Sequence, residues 1–426
     1  MRHAVVTGVG VVSAFGVGAS AFFDGLVEGR GAVGPIRAFD ARTFPTQVAG
    51  EVPPLEVHSL RERLSSLETG ARLLDELGAS GALRDRKLVF GLLAAEEAWR
   101  SARCGPGERE ASLSVALGLE QAFLEDFGPL FDEGRIHWDR EPAASLPPVR
   151  FRARLDLAAE ALQRLLGLRG GTTVHVSACA AGGLAVAHAA ALIERGEASV
   201  VLCGATDSMV NPLGIGGMSR LGAPSPRNAP DACRPFDRRR DGLVVGEGAA
   251  MFVVESEAHA QLRGARPLAR ILGWGRTQDA YRVTAPRPDG ASARRAMENA
   301  LRHARLSPKA VGYINAHGTG TPLNDPAEVK AIRGALGSHA ETVAVSSIKG
   351  AVGHLMAASG AVELASCLLA FERDLLPGTA HFLERDPECD LDIIGPMPRS
   401  ARVAYVLSNS FGFGGQNVTL VLGRVS

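Results

Sequence analysis

Two stretches of this chain are small and apolar on nearly every face. VSACAAGGLAVAHAAALIE, residues 176–194, runs from a strand end through a single cysteine into an Ala- and Gly-rich helix. SSIKGAVGHLMAASGAVELASCLLAFE, residues 346–372, repeats the plan with a lysine and a histidine at the mouth of the helix. A helix that is apolar all round has no face to offer water and must be buried. Its glycines and alanines let a neighbouring backbone approach closely. The repetition predicts two similar halves, each with a central buried helix.

The rest of the chain fits an α/β plan, with short apolar runs alternating with helical patterns. HAVVTGVGVVS opens with a buried strand. Its glycines miss the GxGxxG spacing of a dinucleotide loop, so it reads as a strand entering a tight turn. SVVLCGATDS (199–208) is a second buried strand, and AAMFVVESEAHAQLRG (249–264) a strand followed by a helix. ARPLARILGWGR (265–276) starts a new strand, which places the boundary between halves at 1–260 and 261–426. VGYINAHG, TVAVSSIK, VAYVLSNS and NVTLVLGR supply the later strands. Proline-rich or charged stretches at 104–112, 138–150 and 233–242 are expected at the surface, and 55–150 carries the least recognisable pattern.

Charge excludes one class of function. The 426 residues carry 46 basic and 46 acidic side chains, so no basic excess is available to neutralise nucleic-acid phosphates. No run of about 20 apolar residues could span a bilayer. MRHAVVTGVG lacks the long apolar core of a signal peptide. The six cysteines show no CxxC spacing, so neither a metal site nor a redox motif is expected. A cytoplasmic protein with reduced thiols is the expectation. Lysine is rare: Lys87, Lys309, Lys330 and Lys349 are the whole set.

The chemistry gathers at strand ends. A cysteine opening a helix meets unpaired N–H groups and the positive end of the dipole, which favour a thiolate. Alone, Cys179 reads as a buried structural thiol. Its company changes that reading. His317 follows an apolar run in a Gly/Thr-rich turn, NAHGTGTP. Lys349 stands five residues before His354 at the second helix mouth. Phe411 to Gly415 form a glycine-rich turn after a strand, where backbone N–H groups can approach a reacting oxygen. One cysteine, two histidines, a lysine and a glycine loop suit acyl transfer through a thioester.

SACAAG, PLGIGGMSR, RPFDRRRDGLVVGEGAA, NAHGTGTP, SSIKGAVGHLMAASGAVE and NSFGFGG occur here in order. Together with the N-terminal AVVTGVGVVSAFG, they resemble the β-ketoacyl-acyl carrier protein synthases, most closely the elongating type II ketosynthases. The resemblance spans residues 170–426 and the first strand. It implies a thiolase-like fold, with two duplicated α/β halves in a five-layered αβαβα core. A homodimer is implied, and a heterodimer stays open. The implied partner is an acyl carrier protein bearing substrates on phosphopantetheine, with no other cofactor.

By that resemblance, Cys179 takes the acyl chain, and the N–H groups of Cys179 and Phe413 form the oxyanion hole. Phe411, Phe413 and Gly414 belong to the hole and gate. His317 and His354 stabilise the enolate left by malonyl decarboxylation, and Lys349 and Glu328 orient them. Thr284, Thr319 and Thr321 match positions that bind the pantetheine arm, although Ala285 stands where the family often has serine. Arg61, Arg63 and Arg220 are candidate contacts for an acidic carrier protein, to be weighed against ordinary solvated arginines.

Residue types separate the relatives. A thiolase would carry a second cysteine where this chain has NSFGFGG, and an initiating ketosynthase would have Asn at position 354. Chain-length-factor subunits lack the nucleophile. A structural partner in a heterodimer remains the alternative, as does acyl transfer to an oxygen or nitrogen nucleophile. The segment ALGLEQAF (116–123) replaces the glycine-rich sequence expected there, which leaves chain length and partner open. Cys203, Cys367 and His188 read as core residues, and RRRDG (238–242) as a surface turn.

Overall fold

A computed structural model describes residues 3–119, 123, 131–132, 135–136 and 154–425. The expected proline-rich stretch 138–150 and residues 120–122 of ALGLEQAF lie outside the described residues.

Among the described residues the main sheet has twelve strands, and ten of them build its two halves. The first half holds β1 (Ala4–Ser13), β2 (Ser112–Leu117), β3 (Thr172–His175), β4 (Val200–Ser208) and β5 (Glu247–Ser256). The second holds β6 (Ala269–Gln278), β7 (Tyr313–Asn315), β8 (Ala344–Ser346), β9 (Tyr405–Gly412) and β10 (Gln416–Arg424). Their spatial orders are β3-β2-β4-β5-β1 and β8-β7-β9-β10-β6, the same order when each half is counted from its own first strand. The directions match too. In each half the first three strands of that order are mutually parallel, and the last two joints are antiparallel. The first strands of the halves meet at one end, Ala4 opposite Ile271 and Val6 opposite Ala269.

The helices supply the other layers: α1 (Arg86–Ser101), α2 (Ala181–Arg195), α3 (Ala291–Ala304), α4 (Asn324–Leu336) and α5 (Ser359–Arg373). α1 covers the outer face of the first half, and α3 covers that of the second with α4 beside it. α2 and α5 pack on each other between the two sheet halves. The result is the five-layered αβαβα order.

Composition explains the central layer. A Cβ on Gly182 would fall 2.8 Å from the Ala361 nitrogen, so the two helices cross almost backbone to backbone. Cys203 and Cys367 are fully buried in this core. His188 is satisfied by Ser114, whose hydroxyl lies 3.2 Å from its Nδ1.

Some expectations need correction. The stretch 346–372 is not one helix. A short turn, Lys349–Val352, precedes Gly353 and His354, and α5 begins only at Ser359. CRPFDRRRDG was expected at the surface, yet Phe236 and Asp237 are fully buried and only Arg238 and Arg239 are exposed. Asp325 accepts the Phe236 N–H at 2.7 Å, which draws this segment inward. The 55–150 region, whose pattern is the least recognisable, contains the outer-layer helix α1 and the buried strand β2; charged residues near both ends of α1 interrupt its apolar pattern.

Candidate active site

All the chemistry sits beyond the carboxyl ends of strands, where open α/β sheets leave room for ligands. Cys179 follows β3, His317 follows β7, Lys349 follows β8 and Phe413 follows β9.

Between β3 and α2 the chain makes one 3-10 turn, Ala178–Ala180. Ala178 takes a left-handed φ of 45°, a conformation that costs an L-residue roughly 1–2 kcal/mol. That sharp corner presents Cys179, which is only 5% exposed. The helix end was expected to pull the thiol down. Instead, burial pushes it up to about 11, against the opposing pull of the Lys349 charge and the Phe413 N–H. Desolvation therefore wins.

The two histidines are held from behind. The His354 Nδ1 accepts the Met356 N–H at 3.0 Å and lies 2.9 Å from the Ser359 hydroxyl. A backbone N–H can only donate, so neutral His354 carries its proton on Nε2. Lys349 Nζ is 3.3 Å from the His317 Nδ1, donates to the His317 carbonyl and pairs with Glu363. An ammonium also only donates, which leaves the His317 proton on Nε2. Burial first, then the Lys349 charge, holds both imidazoles well below their usual range. The rings are 5.4 Å apart and nearly perpendicular at 84°. Two neutral N–H donors thus face one space.

That space is a cavity of about 360 Å³. Its walls include Cys179, His317, His354, Phe411, Phe413, Thr284, Thr319 and Thr321. Ala285 lies on the wall beside Thr284. Phe411 packs against His317 at 5.8 Å. Thr319 and Thr321 share a hydroxyl contact of 2.8 Å. Gly412 must be small, since a Cβ there would lie 3.1 Å from the Cys179 nitrogen. Asp325 holds the Gly/Thr turn by accepting the N–H groups of Thr319 and Gly320 at 3.0 and 3.2 Å.

Three predicted residues stand off the cavity wall. Gly414 is exposed, and its N–H goes to the Val283 carbonyl at 2.6 Å. Lys349 lies behind the histidines. Glu328 does not touch an imidazole: it accepts the backbone N–H groups of His317 and Gly318 at 2.9 and 2.8 Å. Burial pushes its carboxyl up to about 7. The acid that pairs with Lys349 is Glu363, which the sequence reading missed. Its signal was present: it is the sole charge inside GAVELASCLLAF, a stretch with no other reason to carry one. Ser359 and Asn409, which donates to Glu328 at 3.1 Å, were missed as well.

Of the candidate carrier contacts, Arg220 is exposed at the end of the helix Pro212–Arg220, flanked by the cavity residues Met218 and Leu221. Arg61 pairs with Asp75 at the surface, and Arg63 is half-buried. Among the described residues no helix is long and apolar enough to cross a membrane.

A buried thiol, two ring N–H donors and three threonines line one cavity, an arrangement suited to thioester chemistry. The family models agree. Residues 1–260 match the β-ketoacyl synthase N-terminal domain and residues 268–383 the β-ketoacyl synthase C-terminal domain, so the chain belongs to the β-ketoacyl synthase family. It is 37% identical over 431 residues to a 3-oxoacyl-[acyl-carrier-protein] synthase 2 of Synechocystis, covering 99% of this chain and 98% of the relative. It is 36% identical over 432 residues to the tetracenomycin polyketide synthase ketoacyl synthase alpha subunit of Streptomyces glaucescens, with coverage of 99% and 98%. A solved type II polyketide synthase acyl carrier protein in complex with its ketosynthase, bound to the hexaketide, superposes with a TM-score of 0.84. The match is at 29% identity and covers all of both chains.

Proposed function

We propose that the chain catalyses decarboxylative Claisen condensation between an acyl group on Cys179 and a malonyl group carried on the phosphopantetheine of an acyl carrier protein. The observation that carries this reading is the pair of neutral imidazoles, both with Nε2 protons, on the cavity wall that holds the thiol.

Loading is thiol–thioester exchange. The Cys179 sulfur takes the acyl carbon, and the departing pantetheine sulfur takes the proton. The backbone N–H groups of Cys179 and Phe413 are assigned to the tetrahedral oxyanion. The malonyl arm then enters beside Thr284, Thr319 and Thr321. Loss of carbon dioxide leaves an enolate, whose oxygen accepts from His317 and His354. The enolate carbon attacks the acyl carbon, and the Cys179 thiolate leaves, stabilised by the Lys349 charge. Phe411, Phe413 and Gly414 are assigned to the gate over the thiol. Lys349 and Glu328 are positioning residues, to which Glu363 is added as the counter-ion. No further cofactor enters these steps. We also infer a homodimer in the cytoplasm, each chain divided into halves 1–260 and 261–426, with Arg220 as the favoured carrier contact.

Intact-protein mass spectrometry with a panel of acyl-carrier proteins tests this. Wild type should gain an acyl mass that Cys179→Ala does not, and should release a β-ketoacyl product when malonyl-carrier follows. Absence of loading, where a control ketosynthase loads, would favour a structural partner of a heterodimer. Loading without malonate consumption would favour acyl transfer to another nucleophile.

A further inference from the structure

The duplication places a second helix mouth opposite the first. Ala178 and Met356 are both left-handed, with φ of 45° and 48°. Each opens a 3-10 turn, Ala178–Ala180 and Met356–Ala358, that runs straight into a central helix. The residue after each corner is Cys179 in one half and Ala357 in the other. Both corners border the cavity, through Cys179 and Met356, and at the second Asp207, on β4, accepts the Ala357 N–H at 2.8 Å.

Asp207 is a costly group to bury. It is 3% exposed, and loss of water pushes its carboxyl up to about 7, with the Lys87 charge and the Ala357 N–H pulling back. Gly118 presses on it so closely that a Cβ there would fall 1.9 Å from its Oδ1. Position 118 belongs to ALGLEQAF, the segment that departs from the expected family sequence.

The two peptide planes that flank the Met356 Cα have different partners. One carries the Met356 N–H, which goes to the His354 Nδ1 at 3.0 Å. The other carries the Ala357 N–H, held by Asp207. A strained left-handed residue persists only where its surroundings over-determine it. We propose that Asp207 is a positioning residue for His354: by pinning the Ala357 peptide it holds Met356 in its left-handed corner and so aims the N–H that fixes the His354 ring and tautomer. This rests on the condensation reading above.

The test separates two half-reactions. Loading of Cys179 is read by intact mass without malonyl-carrier, and decarboxylation by carbon dioxide release from malonyl-carrier alone. Asp207→Ala should lower decarboxylation roughly ten- to hundred-fold, the scale of a small misplacement of a catalytic group. Its loading should stay within about three-fold of wild type, and a loaded variant is a folded one. Removing a negative charge near Cys179 lowers its thiol, so electrostatics alone would not slow loading. Asp207→Asn keeps an acceptor for the Ala357 N–H and should recover most of the lost decarboxylation. Should the alanine variant fail to fold, Asp207→Ser, too short to reach Ala357, should show the same split. Equal loss of both half-reactions, or decarboxylation unchanged in the folded variant, overturns the proposal. His354→Ala serves as the control: if wild type decarboxylates no faster, the condensation reading fails and this inference falls with it. If wild type is faster but Asp207→Ala equals it, only the inference falls.

Discussion

The surroundings of Cys179 raise its proton affinity rather than lower it. Its thiol is pushed up to about 11 by burial, so alkylation by iodoacetamide should still be rising with pH above 9, judged against an ordinary thiol near 8.5. A plateau between pH 6 and 7 would show a standing thiolate and contradict the desolvation argument. Lys349 and Glu363 form a pair with side chains 1% and 2% exposed. Removing one member leaves an unpaired buried charge, so Lys349→Met should lower stability to denaturant by about 3–5 kcal/mol. Adding Glu363→Leu should return most of that stability. Decarboxylation should not return, because the His317 Nδ1 would still lack its donor.

The central helices depend on closeness. Gly182→Val would force side-chain atoms into the Ala361 backbone, and overpacking of a tight core costs about 1–3 kcal/mol or more. The expected result is a lower unfolding midpoint together with weaker loading of Cys179, since α2 carries the corner that presents it. Gly217→Ala makes the contrast. A Cβ there meets nothing within 4 Å, and replacing glycine by alanine inside a helix gains up to about 1 kcal/mol. A rise in midpoint for Gly217→Ala and a fall for Gly182→Val would show that glycine is needed at the crossing of the helices rather than tolerated throughout. These helices were legible from composition alone, because a helix that is apolar on nearly every face has no side to offer water. The break at Gly353 and the separate Lys349–Val352 turn were not legible, since helix pattern continues across them.

On the scale of the whole molecule, two halves of matching strand order share one core. Neither central helix can be covered by its own half. Residues 1–260 produced alone should therefore expose one face of α2 and aggregate or remain unfolded by circular dichroism and size-exclusion chromatography. Co-production with residues 261–426 should recover a soluble complex with loading activity. A stable, monomeric 1–260 fragment would show that the first half buries α2 without its counterpart. The site itself is composite in the same way: Cys179 comes from the first half, and both histidines, Lys349 and Phe413 come from the second.

The sequence determined the repeated buried helices, the alternation of strands and helices, and the reacting side chains. These properties are written locally: a run of small apolar residues with almost no charge, and polar groups set in glycine-rich turns, are visible among neighbours along the chain. The tertiary structure decided what each group meets. It gave Lys349 its counter-ion in Glu363, 14 residues away in sequence and in contact in space. It turned a cysteine at a helix mouth into a desolvated thiol and drew a charged segment inward onto Asp325. It also placed Asp207 at the second corner. Desolvation and pairing depend on groups brought together across the fold, and no spacing along the chain encodes how far a side chain stands from water.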